Sequence, residues 1–366
     1  MILNTKEFSG VCKTILSAID NKDSTLFTET LELKSDNDIL SLNVTNREYY
    51  VTATFKLPQA ENFHASVNAS LFLNLISKLT TDTITITKES NSIKIESNGN
   101  YKLPIIYNNN KMLELPKIEI ENVTNEMTIN SNILNSILSY NSKELLRGTA
   151  VKPVQKYYYI DEFGAITFTS GACVNNFHLE KPIKLLLDQK VVGLFKLFKE
   201  DTAVSFKMGQ DALTEDLIQT KVEFKADNII LTAKLRDVGL LSSVPVSAIR
   251  GMAGKTYTHS IVLNKNNVLQ ALQRLLLFND KDTIGAFTFS NDSMTIFDKT
   301  RENKETIKFE NESQTLSSEY TMGINLSNFK LVLDGVDDEY ITVNFGDHKA
   351  VVVKKANISD IIPERN

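Results

Sequence analysis

Ser70-Leu71-Phe72-Leu73-Asn74-Leu75-Ile76-Ser77-Lys78-Leu79, then Thr80-Thr81-Asp82, then Thr83-Ile84-Thr85-Ile86-Thr87 is the stretch from which the fold is read. Its opening segment spaces apolar residues three and four apart, the period of an amphipathic helix. Its closing segment alternates Thr with Ile, the period of a half-buried strand. The same order returns twice. Gln189-Lys190-Val191-Val192-Gly193-Leu194-Phe195-Lys196-Leu197-Phe198 precedes Lys199-Glu200-Asp201 and Thr202-Ala203-Val204-Ser205-Phe206. Leu326-Ser327-Asn328-Phe329-Lys330-Leu331-Val332-Leu333 precedes an acidic turn and Tyr340-Ile341-Thr342-Val343-Asn344-Phe345. Recurrence in fixed order marks a fold built from copies of one unit.

A second type of helix is predicted upstream of each copy, over residues 5–19, 131–147 and 265–277. Alternating strands follow: Leu31 to Lys34, Leu40 to Val44 and Tyr50 to Phe55 in the first third, Ala165 to Thr169 in the second, and Ala286 to Phe289 with Met294 to Phe297 in the last. The fold class is α+β, with two helices and antiparallel strands in each of three repeats. The boundaries are 1–124, 125–253 and 254–366, an ordinary domain size. The polar, turn-forming stretches Ile120 to Glu126 and Ile249 to Lys255 are the expected linkers.

Composition narrows the class. The chain is 42% hydrophobic and 23% charged, as in soluble globular proteins. No apolar run approaches a membrane span of about 20 residues. The N-terminus lacks the basic and apolar regions of a secretory signal, so a cytoplasmic location is expected. Cys12 and Cys173 are too few for a disulfide framework and suit small core residues.

A net charge of −5 argues at first against an anionic partner. The distribution argues the reverse. The six predicted helices hold eleven basic residues but only two acidic ones, Glu7 and Glu144, for a sum of +9; the rest of the chain therefore carries −14. Solvated helix faces usually mix both signs, since opposite charges four apart stabilise them. Helical phase places Lys78 with Ser70, Asn74 and Ser77, opposite Leu71, Leu75 and Leu79, and Arg274 with Asn266, Asn267, Gln270 and Gln273. The candidate contacts to duplex DNA phosphates are Lys6, Lys13, Lys22, Lys78, Lys143, Arg147, Lys190, Lys196, Lys199, Arg274 and Lys330. Each is also readable as an ordinary surface solubiliser. Stacking aromatics are absent from these faces, so the contact would be to backbone and indifferent to sequence.

In order and repeat structure the chain resembles the bacterial sliding-clamp family, the β subunit of DNA polymerase III. Thr169-Ser170-Gly171 resembles the family's Thr-Asp-Gly, Leu276-Leu277-Phe278-Asn279-Asp280-Lys281 its apolar pair before Ser-Asn-Glu-Lys, and Ile361-Ile362-Pro363-Glu364-Arg365-Asn366 its C-terminal segment. The resemblance implies three DNA-clamp domains per chain and a head-to-tail homodimer closing a ring around duplex DNA. It implies a replicative DNA polymerase and an ATP-driven clamp loader as partners, and no cofactor. It also implies a ring seam of Tyr101 and Leu103 against Leu276 and Leu277. The helical wheel separately puts Leu277 off the apolar face of its helix, through either a frayed end or an external partner.

The family's partner-peptide pocket would fall on Thr169, Gly171, Val174, Leu241, Ala350, Ile361, Ile362 and Pro363; plain core or tail packing is the other reading. Departures are visible. Val238-Gly239-Leu240-Leu241 stands where the family has Gly-Lys/Arg-Phe-Pro-Asp, Ala172 and Cys173 replace a polar, basic pair, and the tail ends in Glu-Arg-Asn. They point to a different partner peptide.

Motifs for chemistry are wanting. Gly251-Met252-Ala253-Gly254-Lys255-Thr256 resembles half of a phosphate-cradling loop, but that loop's first glycine would fall at Ile249 and a strand-like run follows instead of a helix. His64, His178, His259 and His348 show no metal-ligand spacing. The expectation is a non-enzymatic protein without metal. The competing reading is a structural or interaction protein of repeated α+β units with no DNA role.

Overall fold

The computed structural model describes residues 1–20, 24–143, 152–169, 171–214, 217–310, 316–346, 349–355 and 357–365. Its α-helices are α1 (Thr5–Leu16), α2 (Ala69–Ile76), α3 (Ser131–Ser136), α4 (Gln189–Val192), α5 (Val246–Gly254), α6 (Lys265–Leu275) and α7 (Leu326–Asp334). All described strand pairings are antiparallel. No described helix is long and apolar enough to cross a membrane.

The chain packs as two compact units. The first comprises Met1–Asn135 and Lys190–Arg236. It contains a four-stranded sheet in the order Ile2–Asn4, Thr83–Lys88, Ser92–Glu96, Asn100–Pro104. Its eight-stranded sheet begins with Val123–Asn130 and Ala203–Thr214 and ends with Thr30–Asp36 and His64–Asn68. At its middle Ile229–Lys234 pairs with Tyr49–Lys56, Leu231 facing Val51.

The second unit comprises Ser136–Gln189 and Asp237–Asn366. It repeats the plan: an eight-stranded sheet whose middle pairs Ala172–Asn176 with Ile358–Pro363, and a four-stranded sheet of Lys304–Lys308, Ser293–Phe297, Ile284–Asn291 and Leu316–Asn325. The middle third of the sequence therefore gives strands to both units.

One local device starts the helices. The strands Ile2–Asn4, His64–Asn68, Val123–Asn130, His259–Asn264 and Leu316–Asn325 each end in an asparagine directly before a helix. The side chains of Asn4, Asn68, Asn264 and Asn325 accept hydrogen bonds from the amides of Glu7, Leu71, Asn267 and Asn328 at 3.0, 2.9, 3.1 and 2.9 Å. Such a cap satisfies one of the amides a helix leaves orphaned, and contributes about 1 kcal/mol. The first helical amide also repeats its partner: Thr5 donates to Asp82 O, Ser131 to Thr202 O and Lys265 to Glu339 O, at 3.0, 2.9 and 2.9 Å.

Each unit closes over its own aromatic core. Phe8 of α1 meets Phe55 and Phe72 edge-on at 5.3 and 6.3 Å. In the second unit Phe287 meets Phe329 of α7 at 5.3 Å, within a buried cluster that includes Val268, Leu272 and Leu275 of α6. Burying each such ring contributes about 1.5–3 kcal/mol.

The α+β class and the strand positions agree with the sequence reading, with five differences. Ile249–Lys255, expected to be turn-forming, is mostly helical as part of α5: Val246, Ile249 and Met252 pack on an apolar cluster, Ala253 is buried, and a Cβ at Gly251 or Gly254 would meet open space. A buried face outweighs the helix cost of two glycines, about 1 kcal/mol each. The stretch 120–126 is strand from Val123 onward. Among the described residues of 131–147, Ser131–Ser136 is α-helical and Ile137–Asn141 a π-helical turn, while 189–199 breaks after Val192 into a 3-10 turn, Phe195–Leu197. Finally, α2 buries Phe72, Leu73 and Ile76, so Leu71 is exposed on the side of Asn74 and Lys78.

Candidate nucleic-acid interface

Lys22 and Arg147 lie outside the described residues, as does His348. The other nine candidate cations are on or just beyond helices, but their surroundings differ between the units.

In the first unit, Lys6 and Lys13 project from α1, Lys78 follows α2, and Lys196 lies in the 3-10 turn after α4. All four are exposed and make no ion pair among the described residues. Lys199 is 3.9 Å from Asp227 across open surface, a separation at which an exposed pair contributes little. Only Lys190 is firmly held, 2.6 Å from the nearly buried Asp20.

Lys13, Lys196 and Lys199 converge. They border a hollow of about 420 Å³ between the end of α1, the turn after α4 and the 226–229 turn, with Asp227 as its one acid among the described residues. The hydroxyls of Thr14 and Ser17 at this hollow donate to the carbonyls of Gly10 and Thr14, at 3.1 and 2.9 Å. The hollow's available donors are therefore the ammonium groups, compact charges without strong directional demand.

In the second unit every described candidate has a carboxylate. Lys143 Nζ is 2.7 and 2.6 Å from the two oxygens of Asp337. Arg274 grips Glu305 through Nε and an Nη at 2.6 and 2.8 Å, the two-pronged geometry that suits guanidinium and carboxylate. Lys330 meets Asp334 one turn on, at 2.5 Å. Hydrogen bonds from Arg274 and Lys143 hold the carboxyls of Glu305 and Asp337 below the ordinary carboxylate range. The predicted helix spans lack acids on these faces, but the fold brings Asp337 to Lys143 and Glu305 to Arg274, and α7 runs one residue past its predicted end to include Asp334.

The partner-pocket residues do come together. Val174, Leu241, Ala350 and Ile361 belong to one buried cluster of the second unit, and a Cβ on Gly171 would overlap the carbonyl oxygen of Ile361. Ile362 is buried in the larger cluster with α6 and α7. Thr169, Gly171 and Pro363 are half-buried, as are Val154, Tyr157, Val244, Val246, Ile249 and Met252 against the first cluster. Five of the eight candidates are thus buried, and α5 adds apolar surface beside them from a stretch expected to be a turn. At the candidate seam, Leu103 is buried, Tyr101 and Leu276 are half-buried, and Leu277 is 81% exposed in a 3-10 turn beyond α6. Phe278, next to it and 68% exposed, went unnoticed in the sequence although its apolar neighbours pointed to it.

The segment resembling a phosphate loop runs in the wrong order for one. Helix α5 precedes Lys255 and strand His259–Asn264 follows, so no helix N-terminus faces a ligand there. Both cysteines are buried free thiols.

No family model matches the chain. The beta sliding clamp of Mycoplasmopsis pulmonis is 27% identical over 145 residues, 39% of this chain and 36% of that protein. The match spans about a third of that relative's length. A DNA polymerase sliding clamp from Pseudomonas aeruginosa superposes over 100% of this chain and 99% of its own, with a TM-score of 0.80 at 14% identity. One from Bacillus subtilis covers 100% and 98%, with a TM-score of 0.75 at 15% identity. At such identities the likeness is one of fold, and it bears out the resemblance drawn from the sequence: the chain has the sliding-clamp fold from end to end.

Proposed function

We propose that this chain, being built throughout on the sliding-clamp fold, is a DNA sliding clamp: a non-enzymatic processivity factor that encircles duplex DNA and tethers a replicative polymerase. The observation that carries this reading is the recurrence of strand, asparagine cap and helix along the whole chain within that fold. A closed ring stays on DNA by topology, so it needs only weak, sequence-indifferent phosphate contacts, and exposed lysines with no carboxylate partner supply them. The repeats correspond to clamp domains 1–124, 125–253 and 254–366.

Closure requires a head-to-tail contact between two copies, since a heterologous interface otherwise grows a filament. Strands Asn100–Pro104 and Lys304–Lys308 end their sheets and offer free backbone edges. Tyr101 lies on the first of these strands, and Leu276, Leu277 and Phe278 follow α6, whose Arg274 pairs with Glu305 of the second; the buried Leu103 supports its own sheet instead. Partner peptides dock on the half-buried surface of Thr169, Gly171, Pro363 and α5. An ATP-driven loader opens the ring in the cytoplasm. Solution mass and single-particle images of the purified protein test this: a discrete dimer with a central hole supports the ring, and a monomer or an open-ended assembly contradicts it.

A further inference from the structure

We infer that duplex DNA is held one-sidedly within each chain: the hollow bordered by Lys13, Lys196 and Lys199 takes backbone phosphates, and Lys143, Arg274 and Lys330 of the second unit contribute little. The inference rests on the proposed clamp function and says where its DNA contact lies.

Three observations carry it. The hollow gathers three ammonium groups against one acid, so it keeps a net positive charge. The same unit leaves Lys6 on α1 and Lys78 just past α2 exposed and without an ion pair among the described residues. In the second unit Lys143, Arg274 and Lys330 each meet a carboxylate at 2.5–2.6 Å. A phosphate approaching those groups must displace a carboxylate that is already in place, and meets a neutral pair at longer range. The volume of about 420 Å³ falls within the range of ligand clefts. Because the hydroxyls at the rim are committed to backbone carbonyls, recognition is by charge alone. That suits a polyanion that slides, since no directional bond must break at each step.

The test is the salt dependence of binding to a short linear duplex, measured by fluorescence anisotropy on the full chain. Three proteins are compared: the unaltered chain, the triple variant Lys13→Gln/Lys196→Gln/Lys199→Gln, and a variant that neutralises both members of each second-unit pair, Lys143→Gln/Asp337→Asn/Arg274→Gln/Glu305→Gln/Lys330→Gln/Asp334→Asn. Each phosphate contact contributes about 0.9 to the slope of log affinity against log salt. The first variant is expected to lose about 2.7 from that slope, on the order of tenfold or more in affinity at low salt. The second should leave both nearly unchanged. Circular dichroism and sizing establish that both variants keep the fold.

Equal losses from the two variants, or loss from the second alone, overturn the one-sided contact while leaving the clamp intact. Displacement of duplex by millimolar inorganic phosphate at constant ionic strength would assign the hollow to a small free anion and overturn the inference too. An unaltered chain that binds no duplex at any salt overturns the phosphate contact, whereas a chain that forms no ring by solution mass and imaging removes the clamp function along with it.

Discussion

The two units share a plan but not an electrostatic character. Each has one eight-stranded and one four-stranded sheet, with asparagine-capped helices and an aromatic core beneath them. Yet Lys6 and Lys13 on α1 and Lys78 just past α2 are exposed and make no ion pair among the described residues, whereas Arg274, Lys330 and Lys143 of the second unit are tied to Glu305, Asp334 and Asp337. The repeated architecture is therefore separable from the charge laid upon it. Packing and caps must be kept in every copy for the copy to fold. Surface charge is free to vary, because an exposed pair contributes only about 0–1 kcal/mol to stability.

If that separation is right, core changes should act alike in both units. Phe72→Ala in the first and Phe329→Ala in the second remove rings that are fully or almost fully buried, and each should cost about 3–5 kcal/mol in denaturant unfolding. A large effect in one unit and none in the other would break the structural equivalence. Unmasking charge should act on the second unit alone. Glu305→Gln with Asp337→Asn frees Arg274 and Lys143 and should steepen the salt slope of duplex binding by up to about 1.8; an unchanged slope would place those two cations away from DNA.

Smaller effects sharpen the comparison. Asn68→Ala and Asn264→Ala each remove a cap, one per unit, and should each cost about 1 kcal/mol in chemical unfolding, with no change in salt slope. The smallest expected effect is that of mild acid. The carboxyls of Glu305 and Asp337 are lowered by their basic partners, so both stay ionised at and above the ordinary carboxylate range. The stabilisation from these pairs is present above the unfolded-state pKa and fades only as pH falls through the lower folded values. Between pH 8 and about 5 the salt slope contributed by the second unit should be flat. A rise in duplex affinity over that window that Glu305→Gln abolishes would contradict the pairing.

Much of the fold was legible because helix and strand periods survive in the chain: Thr83 to Thr87 and Tyr340 to Phe345 alternate as they fold. The five asparagines before helices were equally readable and were overlooked, since each alone is an ordinary polar residue. The site was read less well, for a physical reason. Which residue neutralises a charge is decided by tertiary contact. Asp337 lies 194 positions from Lys143, and Glu305 lies 31 from Arg274. No helical wheel brings those acids to the basic face. Helix α5 escaped notice because Gly251 and Gly254 signal a turn, while the apolar cluster that overrides them comes from distant strands.

Retention on DNA of different topology tests the central claim most directly. The protein, loaded by its loader onto nicked circular duplex and onto the same duplex made linear, is washed at high salt and the bound fraction measured. Encirclement predicts that it stays on the circle and slides off the linear form. Equal, salt-driven loss from both would mean that ordinary phosphate attraction is all that holds it, and the ring would have to be abandoned.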